Sequence, residues 1–280
     1  MGNNVFKKFR DFLSETKVSS EEKALIKKIG DGFKNNEFKM YLQFIVDNKE
    51  KKITSAEALS RWEPKDGEVV PPVKYIGVME KYGLISTLDY YMFEMAAKKL
   101  CNWKDTAFNE ITISCNFTRL TISENDFVDK IKKIADKYDF DRSKLLIEIT
   151  EDTIEKNRKL AKENILKAKE LGFPIALDDV GTGYTSLISL CEYPVDIVKL
   201  DRDVLLLTNK EKGRKLFTGI ISLAHLLNLK VVCEGVETEE QNTFVSDSMC
   251  DYIQGWYYSK AVPELTFENS ALKYMNECAV

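Results

Sequence analysis

One histidine, His225, occurs in 280 residues. It sits in a stretch of helical periodicity and reads as structural, so chemistry built on histidine is discounted. The six cysteines (Cys101, Cys115, Cys191, Cys233, Cys250, Cys278) include no Cys-x-x-Cys pair, which removes the common zinc and dithiol signatures. Several lie in apolar, strand-like runs, and all six are expected to be buried, reduced thiols. Charge is not concentrated either. The 41 basic and 45 acidic residues give a formal net charge of -4 and are spread along the chain. With no basic arm or acidic tail, a DNA or RNA polymer is not expected as a partner, and any phosphate site must be local. No uninterrupted apolar run is long enough to span a membrane. The most apolar long stretch, 215–232, contains Thr218, Ser222, His225, Asn228 and Lys230, and it divides into a helix followed by a strand. Residues 1–10 lack the apolar core and small-residue cleavage site of a signal peptide. A cytoplasmic protein is expected. Low-complexity segments and solenoid repeats are also absent.

What the chain does have is an alternation. A 44% hydrophobic content suits one large core, as in an α/β barrel of about 250 residues. Strand-like runs fall at 39–46, 53–58, 111–117, 145–149, 174–179, 196–201, 230–234 and 251–254, with amphipathic helical segments at 84–101, 123–138, 154–171, 185–191, 212–227 and 239–248. This order is that of a (β/α)8 TIM barrel. The fold expected is α/β, with one modification. Only residues 47–52 separate the first two strands, too few for a crossover helix, so strand one should run antiparallel in an otherwise parallel barrel. Residues 1–20 form an N-terminal helical extension with Phe6, Phe9 and Phe12 among Lys7, Lys8 and Arg10. Its shortness favours packing on the barrel or a partner over lying on a membrane surface. Ser19 with Glu22 reads as a capping box opening the next helix, and 21–280 is read as the barrel.

The strand-like runs finish in polar groups: Glu57, Asn116, Glu148, Asp178 with Asp179, Lys199, Glu234 and Gln254. In a barrel these ends meet on one face. Each alone reads as a solvated rim residue, but together they supply carboxylate and amide oxygens suited to Mg²⁺ or Mn²⁺. Asp178 and Asp179 are adjacent on a strand and would normally diverge. The turn Gly181-Thr182-Gly183 is expected to bend the backbone so that both reach a cation. Two metals sharing Asp178 could stabilise the oxygens of a phosphoryl displacement. Beside two cations, Lys199 would have its protonated form disfavoured; it could accept a proton from water, orient that water, or neutralise a phosphate. Arg61 reads equally as a phosphate partner or a surface-loop arginine. A rival class, enolase-type proton abstraction, also sets carboxylates and a Lys around Mg²⁺, but the Asp-Asp pair and the Asn fit a hydrolytic centre better.

The ordered motifs resemble the EAL-domain family of cyclic-di-GMP-specific phosphodiesterases. Glu57-Ala58-Leu59-Ser60-Arg61-Trp62 is similar to the family signature; Asn116-Phe117-Thr118, Glu148-Ile149-Thr150-Glu151, Asp178-Asp179-Val180-Gly181-Thr182-Gly183-Tyr184, Lys199-Leu200-Asp201, Glu234-Gly235-Val236-Glu237-Thr238 and Gln254-Gly255 follow in family order. The resemblance covers about residues 30–265. It implies hydrolysis of cyclic di-GMP to linear pGpG, two Mg²⁺ or Mn²⁺ per site, bacterial signalling and a homodimer. It also implies metal ligation by Glu57, Asn116, Glu148, Asp178 and Asp179, water activation by Lys199, and a water-mediated hold on the second metal by Glu234. Glu151 would anchor the Asp-Asp loop, and Gln43, Leu59, Arg61 and Gln254, with the supporting acids Asp201 and Glu237, would lie on the substrate side. Phe44, Val180 and Ala261 depart from the usual Pro, Phe and Pro. The alternative implied is a weak or inactive member that binds cyclic di-GMP as a receptor.

Overall fold

Two apolar runs, Phe38–Asp47 (β1) and Ile53–Trp62 (β2), pair antiparallel from Phe38↔Trp62 to Val46↔Ile53. The link between them closes as a tight turn with Lys51 at φ 54°. Six parallel strands follow: β3 (Thr112–Phe117), β4 (Leu145–Thr150), β5 (Ile175–Val180), β6 (Ile197–Leu200), β7 (Lys230–Cys233) and β8 (Tyr252–Gln254). β8 returns to β1 antiparallel through Ile45↔Gln254, so the sheet closes in the order β2-β3-β4-β5-β6-β7-β8-β1. The modified TIM barrel with a reversed first strand is therefore the observed fold. A two-residue strand, β9 (Val262–Pro263), pairs with Tyr41 and Leu42 of β1. The computed structural model describes residues 2–15, 19–65, 67–150, 158–181, 190–191 and 193–277.

Helices bounded within the described residues are α1 (Gly2–Glu15), α2 (Ser20–Lys34), α3 (Ile76–Lys81), α4 (Ile85–Trp103), α5 (Arg119–Ile122), α6 (Phe127–Ala135), α7 (Arg158–Glu170), α8 (Arg202–Leu206), α9 (Glu211–Leu226), α10 (Glu239–Ser246) and α11 (Glu264–Glu277). They cover the outside of the sheet. Phe93, Phe117, Phe127 and Phe173 fill the layer between strands and helices, each at most 2% exposed. α1 packs on α2 where Phe9 lies against Gly30; a Cβ there would come 2.9 Å from Phe9 Cβ. Phe9 also meets Phe33, with centroids 5.7 Å apart, and Lys8 Nζ donates to Ser86 Oγ of α4.

Local signals fix several ends. Thr238 and Gln241 form a reciprocal capping box on α10, satisfying first-turn amides. Ser19 caps α2 by accepting from the Glu22 amide. The Glu22 carboxylate, however, accepts from Ser19 Oγ, Lys81 and Tyr82, so it joins α2 to α3 and its neighbour. The helix expected over 123–138 is shorter, because Asp126 starts it and Tyr138 packs beyond its end. α3, β9 and α11 were not expected. Of the cysteines expected to be buried, Cys115, Cys233 and Cys250 are, whereas Cys101 is half-buried and Cys191 exposed. Cys191 is helical, as the reading of 185–191 expects, but faces solvent. Cys278, Glu151 and most of the 185–191 segment lie outside the described residues. Among the described residues no helix is long and apolar enough to cross a membrane.

Candidate active site

Register places the polar strand ends. Gln43 faces Glu57 across the β1–β2 pair, Asn116 lies beside Glu148, and Thr150 beside Asp178. Residues two apart share a face, so these side chains point into the barrel at its carboxyl-terminal mouth, the face where active sites of this architecture form. Glu57, Glu148 and Asp178 are buried, and Lys199 on β6 is 1% exposed. The lysine runs up the barrel interior to an ammonium shared by four acids: Nζ lies 2.7 Å from Glu234, 3.2 Å from Glu148, and 3.4 Å from both Glu57 and Asp178. Glu57 also accepts from Asn116 Nδ2 at 2.8 Å and from Gln254 Nε2 at 2.6 Å.

Asp178 and Asp179 reach the same side of the sheet through the aspartate itself. Asp179 has φ 59°, a left-handed conformation that Asp tolerates better than most residues, and the β5–β6 register shifts between Leu177 and Val180. The bend thus begins at Asp179, two residues before Gly181; Thr182 and Gly183 of the turn to which it was ascribed lie outside the described residues. Gly181 continues it at φ 106°, where a Cβ would come 2.2 Å from Val204 Cγ2. One oxygen each from Asp178, Asp179 and Glu234 lie within 4.8 Å of one another, with no other such group of His, Cys, Asp or Glu among the described residues.

The electrostatics follow from five carboxylates facing one ammonium. Burial, then the charges of Glu57 and Asp178 working against Lys199, push Glu148 up to about 8. Asp178 and Glu234 are raised for the same reason. Burial with the charges of Asp178 and Asp201 takes Asp179 to about 6. Glu57 goes down: burial raises it, but Lys199 and the amides of Gln254 and Asn116 outweigh that. Burial disfavours the Lys199 cation, yet Asp178, Glu148, Glu234 and Glu57 together hold it well above its ordinary value. Oxygen donors in excess of positive charge are what a hard divalent cation requires. Gln254 Oε1, buried with no hydrogen-bond partner, is a further oxygen acceptor. The donor set therefore fits Mg²⁺ or Mn²⁺ and does not fit a zinc site built on Cys and His.

Above the acids opens a cavity of about 360 Å³ lined by Gln43, Leu59, Glu237, Gln254 and Trp256 as well as Glu57, Asp178 and Glu234. Gln43 Nε2 donates to the Ser259 carbonyl. Asp201 accepts from the Asp203 amide, capping α8. Arg61 is not among the cavity's lining residues. Its Nη1 donates to the Ser60 carbonyl and its guanidinium stands over the Tyr41 ring at 5.6 Å.

Four residues at or behind this site carried no motif signal on which to single them out. Arg202 lines the cavity and pairs with Glu237 at 2.9 Å. Ser259 Oγ accepts from the Phe44 amide. Asp89, fully buried on α4, accepts from the Thr118 amide and from the hydroxyls of Thr118 and Thr121, which ties down the turn after Asn116. Trp256 is 60% exposed; its position directly after Gln254-Gly255 was the available clue.

A family model described as EAL domain matches residues 26–261. The signalling protein YkoW of Bacillus subtilis is 30% identical over 239 residues, covering 85% of this chain and 30% of YkoW. Cyclic di-GMP phosphodiesterase PdeR of Escherichia coli is 29% identical over 80% of this chain and 34% of its own length. The chain thus spans about a third of these curated relatives. Among solved structures, one described as a PaMucR phosphodiesterase in complex with c-di-GMP superposes with a TM-score of 0.81 at 26% identity, over 87% of this chain and 99% of the other. An EAL domain protein from Listeria monocytogenes EGD-e gives 0.74 at 27%, over 91% and 98%. On the extent of the family match and the strand-end acids arranged as above, the chain belongs to the EAL domain family.

Proposed function

We propose that the protein hydrolyses cyclic di-GMP to linear pGpG with two Mg²⁺ or Mn²⁺ per site, in the bacterial cytoplasm and as a homodimer, with residues 21–280 as the catalytic barrel and 1–20 as an extension. The observation that carries this reading is the convergence of Glu57, Glu148, Asp178 and Glu234 on one Lys199 ammonium at the mouth. The relatives' names and the c-di-GMP bound in the PaMucR structure support the substrate.

Glu57, Asn116, Glu148 and Asp178 would hold one cation, and Asp178, Asp179 and, through water, Glu234 the other. When bound, the cations supply Lewis-acid charge to the phosphodiester and its attacking water. Lys199, whose ammonium the four acids hold, would orient the water and, with those acids engaged in ligation, would take its proton. Gln43 and Gln254, braced against each other at 3.3 Å, set the floor against which the ring of the dinucleotide rests. Arg61 would have to leave the Ser60 carbonyl to meet a phosphate, and Glu151 would steady the Asp-Asp loop.

The test is a turnover assay in Mg²⁺ and in Mn²⁺ with pGpG separated from the cyclic substrate, followed by addition of EDTA. The expected result is metal-dependent cleavage that EDTA abolishes. Tight binding with no cleavage in either metal would instead assign the protein as a receptor.

A further inference from the structure

An apolar side chain that is large, rigid and mostly exposed needs an explanation when its backbone has no freedom to hide it. Trp256 is 60% exposed, whereas the other two tryptophans, Trp62 and Trp103, are 5% and 2% exposed. Its turn is held on both sides. The Val236 amide donates to the Gln254 carbonyl and the Tyr257 amide to the Val236 carbonyl, at 3.2 and 3.0 Å. Gly255 lies so close beneath that a Cβ would come 2.0 Å from Val236 O. Further along, Tyr258 and Ser259 donate back to the Gly255 carbonyl, and Ser259 is bonded to both Gln43 and Phe44. The indole is therefore held at the rim of the cavity that contains Glu57, Asp178 and Glu234. Lys260 Nζ stands over the ring at 4.9 Å from its centroid, a cation–π contact that covers one face and leaves an exposed aromatic surface beside the acids.

Resting on the cyclic di-GMP reading, we propose that Trp256 is the stacking platform for one purine base of the substrate. A purine is planar and aromatic and gains most from a flat, pre-positioned partner that loses no rotamer freedom on binding. The carboxylates and amides below the rim address phosphate and ribose and offer no such surface. Lys260, by withdrawing charge from the far side of the indole, favours an electron-rich base on the near side. The role is one of affinity and placement: the indole touches the substrate but not the reacting phosphorus.

The experiment uses the full chain in EDTA, where no cleavage consumes the ligand. Equilibrium dialysis measures cyclic di-GMP binding, and acrylamide quenching of tryptophan fluorescence is read on the same samples. Because Trp62 and Trp103 are buried, quenching reports Trp256. Bound ligand is expected to shield the indole from acrylamide. Trp256→Ala should weaken binding about tenfold, the effect of losing one base–aromatic stack, and Trp256→Phe should recover most of it. In the metal-loaded enzyme Trp256→Ala should raise KM and leave kcat within about twofold, as loss of uniform binding requires. Binding that leaves acrylamide quenching unchanged, or a Trp256→Ala protein that binds within twofold of the parent, overturns the proposal while the substrate assignment stands. Failure of the parent protein both to bind cyclic di-GMP in EDTA and to cleave it in Mg²⁺ or Mn²⁺ overturns both.

Discussion

The two ends of the barrel treat acids in opposite ways. At the strand starts, Asp251 accepts from His225 Nε2, Lys230 Nζ and the Val231 amide at 2.8, 2.7 and 2.9 Å. Burial would raise this carboxyl, but Lys230, His225 and the Val231 amide hold it below its ordinary value. At the strand ends, Glu148, Asp178, Asp179 and Glu234 are all raised and Glu57, which also takes the amides of Gln254 and Asn116, is lowered, because four acids share Lys199 and a fifth, Asp179, leans on them. The floor is electrostatically satisfied and serves the fold; the mouth is left short of positive charge and serves a ligand. His225 thereby acquires a role in the satisfied cluster, in line with its structural reading.

Lys199→Ala tests the mouth most severely. In metal it should lower kcat by about 10²- to 10⁴-fold, the span for a general base, with cyclic di-GMP binding by dialysis changed only a few-fold; full turnover would make Lys199 a bystander. Asp251→Ala tests the floor. It should cost about 1–3 kcal/mol of stability, since it leaves the buried Val231 amide unpaired, and chemical denaturation should register this while kcat holds. A fall in kcat with no loss of stability would erase the distinction between the ends. Gly235→Ala probes the seam beside the mouth. At φ 70°, and with its Cβ 2.5 Å from Arg202 Cγ, the substitution should cost about 1–2 kcal/mol through left-handed backbone strain and displace Arg202 from Glu237. The smallest effect is in acid. A depressed carboxyl contributes stability above its unfolded value, about 3.9 for Asp, and loses it as pH falls through the lower folded value. Asp251→Asn should therefore flatten the stability curve below about pH 4, and an unchanged acid limb would contradict the hydrogen-bond inventory of Asp251.

Much of this architecture was legible because burial leaves a periodic record. Strands β1 to β8 start and stop within a few residues of their apolar runs, and the six-residue link 47–52 was enough to reverse β1. Polar residues that close those runs led to Glu57, Asn116, Glu148, Asp178, Lys199 and Gln254. Conformations that leave no composition mark were less visible. The left-handed Asp179 is one, since an aspartate does not announce φ above zero as a glycine does, and the bend was credited to the Gly181-Thr182-Gly183 turn. α11 is another: residues 264–277 carry a polar pattern whose apolar face, Phe267 and Ala271, is only two fully buried residues wide. Arg61 shares the inward parity of Glu57 and Leu59, but parity gave no hint that its guanidinium would settle on Tyr41. Trp256 carries no mark in the sequence that separates it from a core aromatic, and only its 60% exposure sets it apart.

The reversed first strand also decides where the chain enters the molecule. Because β1 descends from mouth to floor, α2 delivers its last turn to the upper lip, where the Glu37 carboxylate takes the Trp62 indole hydrogen at 3.0 Å and Gly32 lies so close that a Cβ would come 2.8 Å from the same nitrogen. A parallel strand would have brought this helix to the far side of the sheet, with the length of the barrel between it and the opening. Threaded this way, a displacement of α2 bears directly on the end of β2 that carries Leu59 and Arg61.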